Sequence, residues 1–292
     1  MIKLKNLIKK IIKTDKVLDK QTPIFLLSIL VLVLRIPNLF EPYWYGDEGI
    51  YLTIGQSLNK GAKLYSEIID HKTPIIYYLA RVQTQLNFRL LNIGWMIFTT
   101  IAFCYFAKKL FKSVKQTTLA TFIFIIFTSL PWLEGNIPNG ELFVLGFVMT
   151  GAIIISNTDY FKDFLKSNLK IKANWHSVLK NSINLITAGF FLGLGILTKI
   201  PAILDLAVFF TIGYFTFTNN LLVNSFSNNL KLLGKKIVEI GLLSLGVLIP
   251  ILISIIYFVS IGSGQEYLDF GLLYNFRYAS SWQLPFSNQL LI

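Results

Sequence analysis

Apolar residues gather into seven long runs along this chain, at about residues 24–40, 90–107, 118–133, 142–156, 183–198, 202–218 and 237–259. Runs of this kind read as membrane-spanning helices, although a straight crossing needs ~20 residues. Several of the seven are shorter, and a thinned bilayer or snorkelling flanks would make up the difference. The first polar interval, about 41–89, has a pattern of its own. Between Glu48 and Asn59, the residues Ile50, Ile54 and Leu58 recur at helical spacing, and Gly61 follows as a stop signal. Ile75, Leu79, Val82 and Leu86 repeat the spacing, with Arg81, Gln83, Gln85 and Arg89 among them. Two amphipathic helices lying in the membrane interface fit both stretches. The fold class expected is all-α: a polytopic transmembrane helical bundle of about seven spans, with amphipathic interfacial helices in the first outer loop. No internal repeat is evident.

Charge orients this bundle. Of the 292 residues, 54% are hydrophobic and only 14% charged, against about 25% in an average soluble domain. The net charge of +12 does not indicate nucleic acid, because no run interleaves basic residues with exposed aromatics. Instead, 19 of the 27 basic residues fall in alternate intervals, 1–20, 108–117, 157–182 and 219–236. Lysine-rich alternate loops are the positive-inside signature. The opposite loops hold nine of the fifteen acidic residues: Glu41, Asp47, Glu48, Glu67, Asp70, Glu134, Glu141, Glu266 and Asp269. Both distributions predict a cytoplasmic basic N-terminus (1–22), a transmembrane module (23–259) whose loop 41–89 is outside, and an outer segment (260–292). The expected location is a bacterial plasma membrane. No A-x-A-like cleavage site follows the first run, so that run is expected to stay as a span. The apolar ending Leu290-Leu291-Ile292 predicts a further span beyond it, as in the N-terminal part of a longer protein. The single cysteine, Cys104, excludes an intrachain disulfide and a cysteine-based zinc site.

Four constellations could carry chemistry. In Tyr43-Trp44-Tyr45-Gly46-Asp47-Glu48-Gly49-Ile50-Tyr51, two adjacent carboxylates follow the first span. Asp47 suits an N-cap and Glu48 a first helical turn, and the same pair suits a catalytic base with a supporting acid. Asp70-His71-Lys72-Thr73-Pro74 sets a carboxylate, an imidazole and a cation side by side. Lys72 is either a phosphate-binding point charge or a snorkelling lysine. His71 is a candidate metal ligand, but the only other histidine, His176, falls in a lysine-rich loop, so carboxylates would have to complete the set. Asn136-Ile137-Pro138-Asn139-Gly140-Glu141 reads as turn chemistry with Glu141 at a helix start. Lys199, in Leu197-Thr198-Lys199-Ile200-Pro201, and Arg35 close two spans at their outer ends, where ionisable residues are functional candidates by default. Asp205 is placed to pair with either cation.

These pieces, in this order, resemble the GT-C superfamily of integral-membrane glycosyltransferases. The similarity is greatest to the family containing protein O-mannosyltransferases and the lipid A aminoarabinose transferase. The resemblance runs over about residues 23–205. It rests on Arg35-Ile36-Pro37, Gly46 to Tyr51, Gly61, Tyr65, Asp70 to Pro74, Arg89-Leu90, the Asn-x-x-Asn-x-Glu141 turn and Leu197 to Pro201. It implies a sugar moved from a polyprenyl-phosphate donor to a lipid, glycan or protein acceptor outside the cell. Asp47 would be the base. Lys72 would hold the donor phosphate, in a motif where Thr73 replaces the family's first proline. Arg35, Lys199, Glu141, Asp70 and Tyr51 would line the substrate site. No cofactor is required, although some members hold a divalent metal next to the position of His71.

Elementary chemistry agrees with that assignment. A phosphate leaves without a strong general acid, since its second pKa is near ~6. One carboxylate and a few cations therefore suffice, whereas hydrolysis of an ordinary glycoside needs two carboxylates. The rival classes are a transporter or flippase of lipid-linked sugar, which would favour midplane charges and repeats, and a non-catalytic membrane protein that binds polyprenyl phosphate.

Overall fold

In a computed structural model, the described residues are 23–42, 46–111, 113–166, 170–221 and 223–274. Among them the chain is all-helical, without strands. The basic N-terminus, the aromatic residues Tyr43, Trp44 and Tyr45, and the apolar ending Leu290 to Ile292 lie outside the described residues. Helix α1 (Ile24–Arg35) is followed by α2 (Gly46–Asn59) and the short α3 (Ile75–Leu79). Then come α4 (Gln85–Leu110), α5 (Val114–Phe127), α6 (Gly140–Ser156), the short α7 (Asp159–Leu165), α8 (Trp175–Ile196), α9 (Ile203–Thr218) and α10 (Phe226–Ser260).

Every apolar run falls on a helix, but not every helix is long enough to cross a membrane. Four are, by length and composition: α4, α8, α9 with its leading turn (Ile200–Thr218), and α10. Helices α6 and α7 qualify together, bent by 80° at the break between them. These long apolar helices point to a membrane-embedded protein. Helices α1 and α5 are apolar but shorter, and prolines are the reason. The run 118–133 counts apolar residues past Pro131, yet Leu130 is extended and a 3-10 turn replaces the helix there. Pro37 starts a similar turn after α1.

Three local expectations change in the structure. The amphipathic stretch 75–89 is not one helix. It breaks after Leu79, and α4 starts at Gln85, where Thr84 accepts the Asn87 N–H at 3.2 Å. The predicted stripe Ile50–Ile54–Leu58 is only partly the inward face of α2: Ile54 is a core residue and Leu58 packs against that core, whereas Ile50 does not. Glu48, Tyr51, Leu52, Ile54 and Gly55 are buried while Ile50 is exposed, so the inward face is rotated and carries a charge. The interval 219–236 is helical from Phe226 onward, and its Lys235 and Lys236 are buried. Gly61 does end α2, with φ of 95°, a backbone state that favours glycine.

The centre of the bundle is the contact of α8 with α10. Gly189 and Gly193, four apart on α8, face Leu243, Gly246 and Val247 of α10, and a side chain at Gly189 would strike the Leu243 carbonyl and one at Gly193 the Val247 carbonyl. Small residues at such a crossing let two backbones approach closely, which is how helices pack in lipid. Around this crossing α6, α8, α9 and α10 share one apolar core, which includes Ile155, Leu185, Ala188 and Leu192. A second core joins α2, α3 and the start of α4 to the end of α10. It includes Tyr51, Tyr65, Tyr77, Phe88, Phe143, Phe258 and Tyr267. This aromatic core holds the candidate site in place.

Candidate active site

Asp47 and Glu48 both lie in the first turn of α2, where free N–H groups favour carboxylates. As neighbours they point about 100° apart around the helix, and they have opposite fates. Glu48 is fully buried and meets the Arg89 guanidinium side-on, Nε to Oε1 at 2.7 Å and Nη2 to Oε2 at 2.8 Å. Gln85 adds a hydrogen bond at 3.1 Å. Arg89 also donates to the carbonyls of Asn38 and Glu41, so this pair staples the link between α1 and α2 onto α4. Asp47 faces the other way. Its Oδ2 accepts the Tyr51 hydroxyl at 3.0 Å and lies 2.7 Å from Lys72 Nζ. Burial first, then the charge of Asp47, pushes the Tyr51 phenol well above its usual range, so it remains a donor. The lysine ammonium also sits 4.8 Å from the centre of the Tyr51 ring, a cation–π arrangement.

The loop that delivers Lys72 is held by tyrosines. Tyr65, buried and in the left-handed region at φ 73°, donates its hydroxyl to the Lys72 carbonyl at 2.7 Å. Tyr77 accepts the Lys72 N–H at 3.2 Å and donates to Asp70 Oδ2 at 2.7 Å. Burial, reinforced by Asp70, keeps the Tyr77 phenol protonated well above its ordinary pKa. Asp70 in turn holds His71, with Oδ1 at 2.9 Å from Nδ1 and 2.8 Å from the backbone N. The His71 ring packs on Tyr274, with centres 5.1 Å apart. Finally, the Ile75 N–H binds the Leu197 carbonyl at 3.0 Å and sets this loop beside the end of α8.

An open cleft of about 320 Å³ results. Asp47, His71, Lys72 and Thr73 line one side, and Lys199, Ile200 and Pro201 the other. Lys199 extends over Gly140 and forms an ion pair with Glu141 in the first turn of α6, where Glu141 is largely exposed. Asn139 sets the start of α6 by accepting the Gly140 N–H at 2.7 Å. The cleft thus presents one carboxylate already paired with a lysine, a second paired cation, and an imidazole oriented by Asp70.

Among the residues singled out from sequence, Asp47, Tyr51, Asp70, His71, Lys72, Glu141 and Lys199 are brought together here. Arg35 is not. It is buried between α1, α4 and the end of α5, donating to Asn92 Oδ1 at 2.9 Å and to the Thr128 carbonyl at 2.5 Å. Glu48 is turned into the aromatic core. Asp205 pairs with neither Arg35 nor Lys199 among the described residues. Among the described residues no three His, Cys, Asp or Glu side chains converge on one point around His71. Sequence reasoning placed Arg89 within the resemblance but missed its pairing with Glu48, and it missed Tyr77 altogether. For the pairing, the available signal was an arginine one turn into a spanning helix, opposite the Asp47-Glu48 pair.

No family model, no curated protein and no solved structure matches this chain.

Proposed function

We propose that this chain is a membrane glycosyltransferase that moves a sugar from a polyprenyl-phosphate donor to an acceptor on the non-cytoplasmic face. The observation that carries this proposal is the Asp47–Lys72 pair, open to a cleft that holds a second cation, Lys199. In the proposed step, Asp47 takes the proton of the acceptor hydroxyl. The acceptor oxygen bonds to the anomeric carbon as the bond from that carbon to the phosphate oxygen breaks. The electron pair stays with the polyprenyl phosphate, whose charge Lys72 and Lys199 neutralise. Each cation is already within reach of a carboxylate, so an arriving phosphate exchanges partners rather than meeting bare charge. The proposal takes all seven apolar helices as spans, with α2 and α3 in the outer interface and the lysine-rich ends in the cytoplasm.

Two experiments test this. Purified chain supplied with a radiolabelled polyprenyl-phosphate sugar and membrane extract as acceptor should show transfer that Asp47→Asn abolishes while the donor still binds. The amide keeps the size of the side chain but cannot take a proton. Binding without turnover in the parent would leave a non-catalytic lipid-phosphate binder. For orientation, single cysteines replace Lys60 and Lys166 in a Cys104→Ser background, and intact cells are labelled with an impermeant maleimide. Labelling at 60 alone is expected. Labelling at 166 alone would put the cleft in the cytoplasm and defeat the proposed chemistry.

A further inference from the structure

A second recess lies at the same end of the bundle and shares no residue with the Asp47 cleft. It has a volume of about 220 Å³ and lies between the turn Gly61–Leu64, the end of α3 and the outer end of α10. Its polar groups are Lys63, Arg81, Tyr78 and Tyr257, and no carboxylate lines it. Among the described residues neither Lys63 nor Arg81 has an acidic partner; Glu67 is near but binds the Lys63 backbone N–H at 2.8 Å.

Arg81 is fixed in place. Its Nε donates to Asn59 Oδ1 at 2.8 Å, and Asn59 Nδ2 returns a hydrogen bond to the Arg81 carbonyl at 2.8 Å. The guanidinium also lies 5.9 Å from the centre of the Tyr78 ring. Tyr78 donates to Tyr257 Oη at 3.0 Å, which leaves the Tyr257 proton for a ligand. A fixed guanidinium, a free-swinging ammonium and a hydroxyl donor around one hollow are a set of phosphate contacts.

The surroundings specify what carries the phosphate. Ile253 lies one turn below Tyr257 on α10 and is 58% exposed, and Leu252 and Ile256 beside it are exposed as well. An apolar strip on a membrane helix, ending in a tyrosine and two cations, matches a lipid whose chains run along the helix and whose headgroup sits at its end. We infer that this recess is a binding site for the phosphate headgroup of an anionic phospholipid, separate from the Asp47 cleft.

The test is native mass spectrometry of the full chain in detergent, titrated with dioleoyl phosphatidylglycerol, dioleoyl phosphatidylcholine or glycerol phosphate. Phosphatidylglycerol should bind best, because the choline of the zwitterionic lipid opposes Lys63 and Arg81. Lys63→Ala should weaken phosphatidylglycerol binding roughly five-fold, and the pair Lys63→Ala with Arg81→Gln by more than ten-fold. Lys63 is exposed and its side chain makes no hydrogen bond or ion pair among the described residues, so the single variant decides even if Arg81→Gln unfolds. Lys72→Ala should leave this binding unchanged. Equal binding of the two lipids, or phosphatidylglycerol bound as tightly by Lys63→Ala as by the parent, overturns the site. Loss with Lys72→Ala but not Lys63→Ala would move the lipid into the Asp47 cleft. Glycerol phosphate that competes as an equal of the lipid would reduce the recess to a free-phosphate site.

Discussion

Two clusters of opposite charges lie toward the two ends of this bundle, and they are built for different ends. In the Asp47 cleft each cation has one carboxylate partner, and the pairs border open space. In the other cluster Lys235 and Lys236 of α10, both buried, share Asp163 of α7 and Glu239 of α10. Lys235 lies 2.7 Å from Asp163, and Lys236 lies 2.9 Å from Glu239. Lys236 also lies 4.7 Å from the centre of the Tyr160 ring. Both lysines and Glu239 are buried, only Asp163 reaches water, and the four groups are spent on one another rather than bordering a cleft. They fasten the bent α7 to α10. The lesson is that pairing alone does not mark a functional site. What separates the clusters is whether a charge can change partner without being stranded in a low dielectric, because an uncompensated buried charge is far more costly than one facing solvent.

The comparison can be broken most severely in the sealed cluster. Glu239→Ala leaves two buried lysines with a single carboxylate and should cost about 3–5 kcal/mol, read as a large fall in thermal unfolding temperature in detergent. Full retention of stability would mean that water reaches these lysines and that the cluster is not sealed. Next comes Glu48→Gln. The carbonyls of Asn38 and Glu41 would still accept from Arg89, so the expected loss is smaller, about 2–3 kcal/mol. It should be accompanied by faster proteolysis of the link between α1 and α2.

The open cleft should respond in the opposite sense, with small effects on folding and large effects on ligand. Lys72→Ala should change stability by about 1–2 kcal/mol, less than Glu239→Ala, because Asp47 keeps the Tyr51 hydroxyl and reaches solvent. In the same variant, apparent affinity for a polyprenyl-phosphate sugar should fall roughly ten- to a hundred-fold, measured by donor titration. Lys72→Arg should recover part of the loss, since it keeps the charge and changes the geometry. The smallest effect on folding is expected at the rim, where Glu141→Ala should move stability by no more than about 0.5 kcal/mol. Unfolding temperatures that fall as far for Lys72→Ala as for Glu239→Ala would erase the distinction between the two clusters.

Sequence by itself determined the class of this protein. Seven apolar runs, few charges and lysines gathered mostly in alternate intervals pointed to helices in a membrane, because a helix satisfies its own backbone groups in lipid over such lengths. It also determined where to look, since Asp47, Lys72 and Lys199 stand out as ionisable residues beside apolar runs. The tertiary structure alone decided which of these residues meet. Asp47 and Glu48 are adjacent in sequence, and both fit a first helical turn. Their separation into cleft and core followed from the rotation of α2 against α3 and α4, which no local pattern encodes. Arg35 and Lys199 looked equivalent, each closing a span before a proline. Packing sent one against α4 and the end of α5 and the other over Gly140. Lys235 and Lys236 read as loop charges because a lysine pair beside an apolar run ordinarily faces water. Their burial depended on Asp163, more than 70 residues earlier, arriving on a helix bent by 80°. Periodicity fixes which side of one element is apolar. The partners of a charged side chain are set by contacts between elements distant in sequence, and those come into being only when the helices pack.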